Sequence, residues 1–332
     1  MIILGIETSC DETAAAVLMN NHKRITILSN VLSSSAPLQA KYGGVIPEQA
    51  AREQIKAIIP VIEEALNDSR LTISDIDAIA VTYGPGLIGS LLVGVETAKT
   101  LATVWHKPLI PINHLLGHFY ANWIAAAPPF FPCLGLLVSG GHTDLILFKQ
   151  HGQYQYLGGT RDDACGECFD KCARLLGLPY PGGPQLSKLA QKGDPKKFKL
   201  PIPMKDSRDF DFSYSGLKTS VSNIVYRISE NDKRNLAAAI EETIIISLIE
   251  KVVLAIKNYK VKQIMIAGGV AANQLLVRKL KVQSEKLKVK FHVPPPYLCT
   301  DNGAMIAAAG FFTKPLPNLF SLQADPALSL LY

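Results

Sequence analysis

The chain has 332 residues, 48% hydrophobic and 19% charged, a composition that excludes a disordered chain and suffices for two domains of ordinary size. The formal net charge of +6 is mild and by itself weak ground for a nucleic-acid partner. No apolar run reaches about 18 residues without a charge, which excludes a membrane-spanning helix. The N-terminus lacks a basic n-region and reads as a strand instead of a signal peptide, so the expected location is the cytoplasm, with the six Cys reduced.

Residues 2–6 are a short apolar run, the pattern of a buried strand. The polar turn ETSCDET at 7–13 follows, and 14–19 is apolar again. Such a strand, turn and returning strand offers backbone N–H groups and small hydroxyls to a phosphate or its metal, although an ordinary hairpin loop has the same composition. Asp11 and Glu12 are acidic and suit a metal or a proton better than a bare phosphate. Gly43, Gly44 and Pro47 then break the chain. From 48 to 66, Ala50, Ile55, Ile58, Ile59, Ile62 and Leu66 predict one apolar stripe on a helix, for core packing or a partner helix, with Pro60 as a point of kinking. Residues 76–81 read as a strand, and GPG at 84–86 leads into a helix over 88–104, an anion-binding corner.

Next comes PINHLLGH at 111–118. His114 and His118 are four apart, so on a helix both imidazoles share one face. Two imidazoles on a rigid element can hold a divalent metal if a third ligand arrives from elsewhere; a surface pair is the plainer alternative. The zinc-protease pattern is absent, because Leu115 stands where that motif needs its Glu.

The second half repeats the first. An apolar run at 134–138, the turn SGGHT at 139–143 and an apolar return at 145–148 echo residues 2–19. A strand at 263–267, the Gly-rich turn GGVAAN at 268–273 and a helix echo residues 76–104. Two related α/β halves suggest the duplicated two-lobe actin, hexokinase and Hsp70-like (ASKHA) fold, an analogy that speaks to architecture and not to reaction. Lobe I is expected over 1–112 plus 303–332 and lobe II over 113–302, with metal and nucleotide in the cleft between them. A helix is expected over 166–176, a tight turn at 180–184, a surface loop over 192–213, a long helix over 236–256 and a small-residue helix over 304–312. Asp301, just before that last helix, is either its N-cap or a third metal ligand. Cys165, Cys168 and Cys172 share a helix face and read as packing residues, not as a cluster site. Basic residues gather at Lys196, Lys197 and Lys199 and again from 279 to 290; such runs are ordinarily solvated faces.

Ten motifs in order carry a resemblance: GIETSCDET (5–13), YGGVIPE (42–48), GPGL (84–87), the 114–118 pair, LVSGGHT (137–143), GECFDK (166–171), YPGGP (180–184), FSYSGLKT (212–219), GGVAAN (268–273) and DNGAM (301–305). Together they resemble the bacterial TsaD (Gcp) family, over residues 1 to about 312. That resemblance implies the catalytic subunit that makes threonylcarbamoyladenosine in tRNA. Threonylcarbamoyl-AMP is the implied donor. The exocyclic amine of the adenosine beside the anticodon of ANN-reading tRNAs is the acceptor, and AMP leaves. The implied metal ligands are His114, His118 and Asp301, with iron(II) the usual ion and zinc also suited to this donor set. The donor is expected against Leu137, Val138, Ser139, Gly140, Gly141, Asp170, Gly183 and Asn273. Asp170 is then a ribose acceptor and Asn273 a partner for base or ribose. Asp11 and Glu12 are the candidate general bases. The implied partners are tRNA, the scaffold paralogue TsaB on the 48–66 helix, and the ATPase TsaE; no membrane is involved. Leu116 departs from the family's usual Glu, which removes the acidic neighbour expected to orient the imidazoles. The competing readings are a metallopeptidase, an ATP-dependent kinase of the same fold, and a non-catalytic scaffold paralogue, against which the retained His114, His118 and Asp301 stand.

Overall fold

In the computed structural model, which describes every residue except 22, 23, 125, 126, 332 and the side chain of residue 40, the chain forms two compact units. One comprises Met1–Pro128 and Pro294–Tyr332, the other Pro129–Val293.

The first unit opens with strands β1 (Ile2–Glu7), β2 (Glu12–Asn20) and β3 (Ile25–Ser34), then helices α1 (Ala36–Ala40) and α2 (Pro47–Ser69). Strand β4 (Ala78–Gly84), helix α3 (Ile88–Trp105), strand β5 (Leu109–Asn113) and helix α4 (His114–Tyr120) follow. The second unit carries β6 (Cys133–Val138), β7 (Thr143–Gln150), β8 (Gln153–Gly159), α5 (Cys165–Leu175), α6 (Gly182–Ala190) and α7 (Ser215–Val225). It continues with α8 (Lys233–Tyr259), β9 (Gln263–Ala267), α9 (Gln274–Leu287) and β10 (Lys290–His292). The chain then returns to the first unit with α10 (Gly303–Gly310).

The sheets run β3-β2-β1-β4-β5 and β10-β9-β6-β7-β8, so the two orders superpose. In each, an antiparallel hairpin (β1 with β2, β6 with β7) is joined to a parallel strand (β4, β9). This is the duplicated α/β architecture expected from the echo of residues 2–19 in 134–148. The core of the first sheet is Leu4, Ile6, Val17, Ile79 and Val81 against Ile58, Ile62 and Val95 of the helices. Antiparallel hairpins close locally, whereas the parallel strand needs a helical crossover.

Several details differ from expectation. The unit boundaries lie at 128/129 and 293/294, not at 112/113 and 302/303. The reason is local: α4 starts from the end of β5, and Gly117 lets it pack closely on Ile306 of α10, whose Cδ1 a Cβ would approach to 2.7 Å. Helix α2 runs unbroken through Pro60. Its buried face is Ala50, Gln54, Ile58, Val61, Ile62 and Ala65, and Ile55 and Ile59 of the predicted stripe are instead 64% and 47% exposed. The expected tight turn at 180–184 is the start of α6, which Gly182 opens. Strands β3, β5, β8 and β10 were not expected; all four lie at sheet edges, β3, β8 and β10 are half-exposed, so their apolar signal is diluted, and β5 is five residues long with Pro111 at its centre. No helix of the described residues is long and apolar enough to cross a membrane.

Candidate functional site

The first unit brings His114, His118 and Asp301 together. Asn113 caps α4, its side chain accepting from the backbone N–H of Leu115 and Leu116, which sets His114 at the first helical position. One turn on, His118 stacks beside it with ring centroids 4.7 Å apart. Asp301 is not the cap of α10. Asn302 is, accepting from Met305 N–H at 2.9 Å, and this leaves the Asp301 carboxylate for the histidines. Its Oδ1 lies 3.2 Å from His118 Nε2 and 3.6 Å from His114 Nε2.

Among the described residues, these three alone form a group of His, Cys, Asp or Glu able to hold a metal, with ligand atoms within 4.8 Å of one another. The residues fit such an ion. A tetrahedral centre with bonds of ~2.1 Å separates its ligands by about 3.4 Å, close to the two distances to Asp301. The donor set of two imidazoles and a carboxylate suits iron(II) or zinc.

An acidic partner for one imidazole, that of His114, is present after all, in a place the sequence did not suggest. Glu7, at the end of β1 and fully buried, puts Oε2 3.1 Å from His114 Nδ1. Ser9 Oγ is also 3.1 Å from that nitrogen. The Glu7 carboxylate is itself anchored by Ser9 N–H at 2.6 Å and Thr82 Oγ1 at 2.5 Å. It thereby directs His114 Nε2 toward Asp301 and compensates for Leu116. Burial pushes the Glu7 carboxyl up, but the charge and hydrogen bond of His114 outweigh it and hold it below the usual range. Burial would lower the His114 imidazolium; Glu7 and Asp301 reverse this and raise it to about 9. A Glu ending a buried strand was the signal for this role, since a buried carboxylate requires a partner.

The turn after Glu7 is built by a second unforeseen residue. Gln54, 1% exposed on the apolar face of α2, donates to the carbonyls of Thr8, Cys10 and Glu12. Ser90 of α3 donates to the Cys10 carbonyl as well. A glutamine in step with Ala50 and Ile58 was the visible sign. Asp11 is buried in this turn. Glu12 accepts from Ser34, and burial, a hydrogen bond with Asp11 and the charge of Asp301 push its carboxyl up to about 9. Its protonated form is therefore favoured at neutral pH, able to donate to Asp11 while still accepting from Ser34.

The residues expected to face the donor all lie in the second unit. Leu137 and Val138 end β6 and are buried, while Ser139, Gly140 and Gly141 form the β6–β7 turn. A Cβ on either glycine would meet open space, and neither N–H is used in a backbone hydrogen bond. Gly166 at the start of α5 packs so closely on Ser139 that a side chain is excluded, and its N–H donates to the Ser139 carbonyl at 3.2 Å. Gly268, with φ +90°, packs equally closely on Val138. These contacts gather the β6–β7 turn, the α5 N-terminus and the β9 corner, an arrangement suited to an anion.

Asp170 Oδ1 accepts from Gly183 N–H at 2.9 Å, so that carboxylate also caps α6. Both amide hydrogens of Asn273 are committed, to Glu241 at 2.7 Å and Ser187 at 3.0 Å, and its Oδ1 accepts from Leu276 N–H. Only a second lone pair of Oδ1 remains for a ligand. The buried carboxylate of Glu241 was not foreseen. Cys165, Cys168 and Cys172 are fully buried and lie outside any metal-holding group of the described residues. Burial holds the Cys165 thiol up at about 12, which suits packing.

The model of the family TsaD, tRNA N6-adenosine threonylcarbamoyltransferase, matches residues 26–308. A relative of that same description from Symbiobacterium thermophilum is 50% identical, covering 99% of this chain and 97% of its own. Another, from Dehalococcoides mccartyi, is 49% identical over 99% of both. Among solved structures, component A of the Acidaminococcus fermentans (R)-2-hydroxyglutaryl-CoA dehydratase is similar with a TM-score of 0.54. It covers 94% of this chain and 98% of that one at 18% identity, a likeness of fold alone.

Proposed function

We propose that this chain, which belongs to the TsaD family of tRNA N6-adenosine threonylcarbamoyltransferases, uses threonylcarbamoyl-AMP to modify the adenosine 3′ to the anticodon in tRNAs reading ANN codons. The chain is a transferase acting on tRNA. In the proposed step the exocyclic amine attacks the carbamoyl carbon. The bond from that carbon to the phosphate oxygen breaks, AMP leaves, and the amine loses a proton.

The observation that carries the reading is the meeting of the Glu7-oriented His114 with His118 and Asp301. These residues would hold one divalent metal, iron(II) by preference or zinc. When bound, it supplies a Lewis acid for a carbamoyl or phosphate oxygen. In the second unit, the bare backbone of Gly140 and Gly141 receives the AMP phosphate, and Leu137, Val138 and Ser139 form the floor beneath it. Asp170, Gly183 and Asn273 meet the nucleoside. Asp11 takes the amine proton, and the protonated Glu12 hydrogen-bonds Asp11 and keeps it in place. The exposed Ile55 and Ile59 of α2, with Ile88 and Leu92 of α3, supply an apolar face for the scaffold paralogue TsaB. The ATPase TsaE is a partner by family resemblance.

The test is a reconstituted reaction with this chain, those partners, a donor-generating enzyme, ATP, threonine, bicarbonate and tRNA, with modified adenosine read by mass spectrometry. Product is expected, and a chelator is expected to remove it. The double variant His114→Ala, His118→Ala is expected to fold and to make none. Full activity in that variant would refute the metal role, and no product from the wild type, with the partners active on a reference enzyme, would refute the reaction.

A further inference from the structure

Residues 257–290 contain nine Lys and Arg and a single acid, Glu285, a net of +8 in a chain whose total is +6. The rest of the chain is therefore slightly acidic, and the positive charge is concentrated on one part of the second unit. Eight of the nine cations are exposed: Lys257, Lys260, Lys262, Arg278, Lys281, Lys286, Lys288 and Lys290. Lys279 alone is paired, with Glu242.

The fold brings these positions together. Lys257 lies in the last turn of α8 and Lys260 is its left-handed C-cap. Lys262 stands just before β9. Lys290 opens β10, which runs parallel to β9 with Lys290 opposite Gln263, and Lys290 N–H donates to the Lys262 carbonyl at 2.9 Å. Lys288 is the left-handed C-cap of α9, two residues before Lys290. Along α9, Arg278 and Lys281, three apart, share one face.

Local roles explain single positions. Cations at the ends of α8 and α9 complement the helix dipoles, and a lysine on the edge strand β10 discourages pairing with another chain. They do not explain why Arg278 and Lys281, nearer the middle of α9, extend the same sign, nor why so few acids are interspersed. Like charges held close repel one another, and a polyanion relieves that repulsion while releasing its own counterions. The other basic stretch, Lys196, Lys197 and Lys199, is shorter and has Asp194 beside it.

We infer that this face, formed by the C-terminal ends of α8 and α9 with the starts of β9 and β10, docks the phosphate backbone of the tRNA substrate. The inference rests on the proposed reaction, which makes tRNA the polyanion at hand. The lysines act as point charges on phosphates, so the face contributes affinity and orientation and leaves the choice of base to the reacting site.

The experiment compares the full wild-type chain with a variant carrying Lys262→Gln, Arg278→Gln, Lys281→Gln and Lys290→Gln, all exposed positions away from the donor and metal residues. Binding of full-length tRNA is measured as a function of salt. The variant is expected to bind at least tenfold more weakly at low salt. The slope of log affinity against log salt is expected to flatten by about 3, since each lost phosphate contact removes about 0.7–0.9. An unchanged slope overturns the inference. Competition by duplex DNA as effective, per phosphate, as competition by tRNA overturns tRNA as the occupant. Photo-cross-linking of the wild-type chain to tRNA gives an independent reading should the variant misfold: cross-links within 257–290 support the inference, and cross-links confined elsewhere overturn it. Wild-type modification activity is measured on the same preparation. Its absence in the reconstituted reaction, with the partners active on a reference enzyme, refutes the reaction, whereas a slope unchanged in the presence of activity refutes only the docking face.

Discussion

Glu7 and His114 show how a single buried ion pair fixes the orientation of an imidazole. The imidazole stays protonated well above its ordinary range because the Glu7 carboxylate faces its Nδ1. Its folded pKa of about 9 lies above the unfolded value near 6.5. The pair therefore stabilises the metal-free fold fully between the ordinary carboxylate range and about pH 6.5, loses that contribution as pH rises toward 9, and loses it on the acid side as Glu7 takes up a proton. A metal must displace the proton on Nε2, so binding at pH 7.5 is expected to release close to one proton, and affinity is expected to rise with pH up to about 9. Glu7→Gln should weaken metal binding about 10- to 100-fold and reduce the proton release, both read by calorimetry in buffers of different ionisation enthalpy. Unchanged affinity would show that Glu7 does not orient the ligand. That His114 and His118 share a face was legible because i, i+4 spacing maps directly onto a helix, whereas Asp301 entered as a candidate ligand through the resemblance, its local pattern being that of an N-cap. Glu7 was not legible, because it meets His114 from another strand, 107 residues away in sequence.

At the scale of elements, α2 was read correctly as a helix and incorrectly as to its faces. Its apolar residues surround more than one side, and composition alone does not say which side meets the sheet. The structure answers with Gln54, which turns inward to hold three carbonyls of the β1–β2 turn, while Ile55 and Ile59 turn out. Replacing Gln54 by Leu keeps the volume and removes the donors. The expected cost is about 1–3 kcal/mol of unfolding free energy, the usual penalty for buried carbonyls left unpaired, measured by urea denaturation. A change below about 0.5 kcal/mol would mean that water or Ser90 replaces the amide. The same logic explains α10, whose Gly and Ala residues read as a tight-packing helix and do pack on β1 and β2, where Gly5 of β1 and Gly303 against Ala15 and Ala16 of β2 tolerate no side chain.

For the whole molecule, the two units repeat one sheet order yet present different surfaces. The first exposes apolar residues on α2 and α3, and the second exposes cations on α8, α9 and β10. Ile55→Glu with Ile59→Glu should abolish binding of the scaffold paralogue in size-exclusion chromatography. Stability of the isolated chain should change by less than about 1 kcal/mol, since two exposed positions are involved. Retained complex formation would place the partner elsewhere.

The amino-acid sequence by itself determined the strand–turn–strand and strand–glycine–helix units, their duplication, and the placing of His114 and His118 on one helix face. Each follows from local spacing or from motifs whose order does not depend on packing. Only the tertiary structure decided that α4 belongs to the first unit, that Asn302 and not Asp301 caps α10, and that the Asn273 amide is engaged by Glu241 and Ser187. It also decided that Glu7 and Gln54 support the site. These features depend on which groups meet across long separations in the chain. Buried polar atoms must find partners there, and no local pattern states which partner they find.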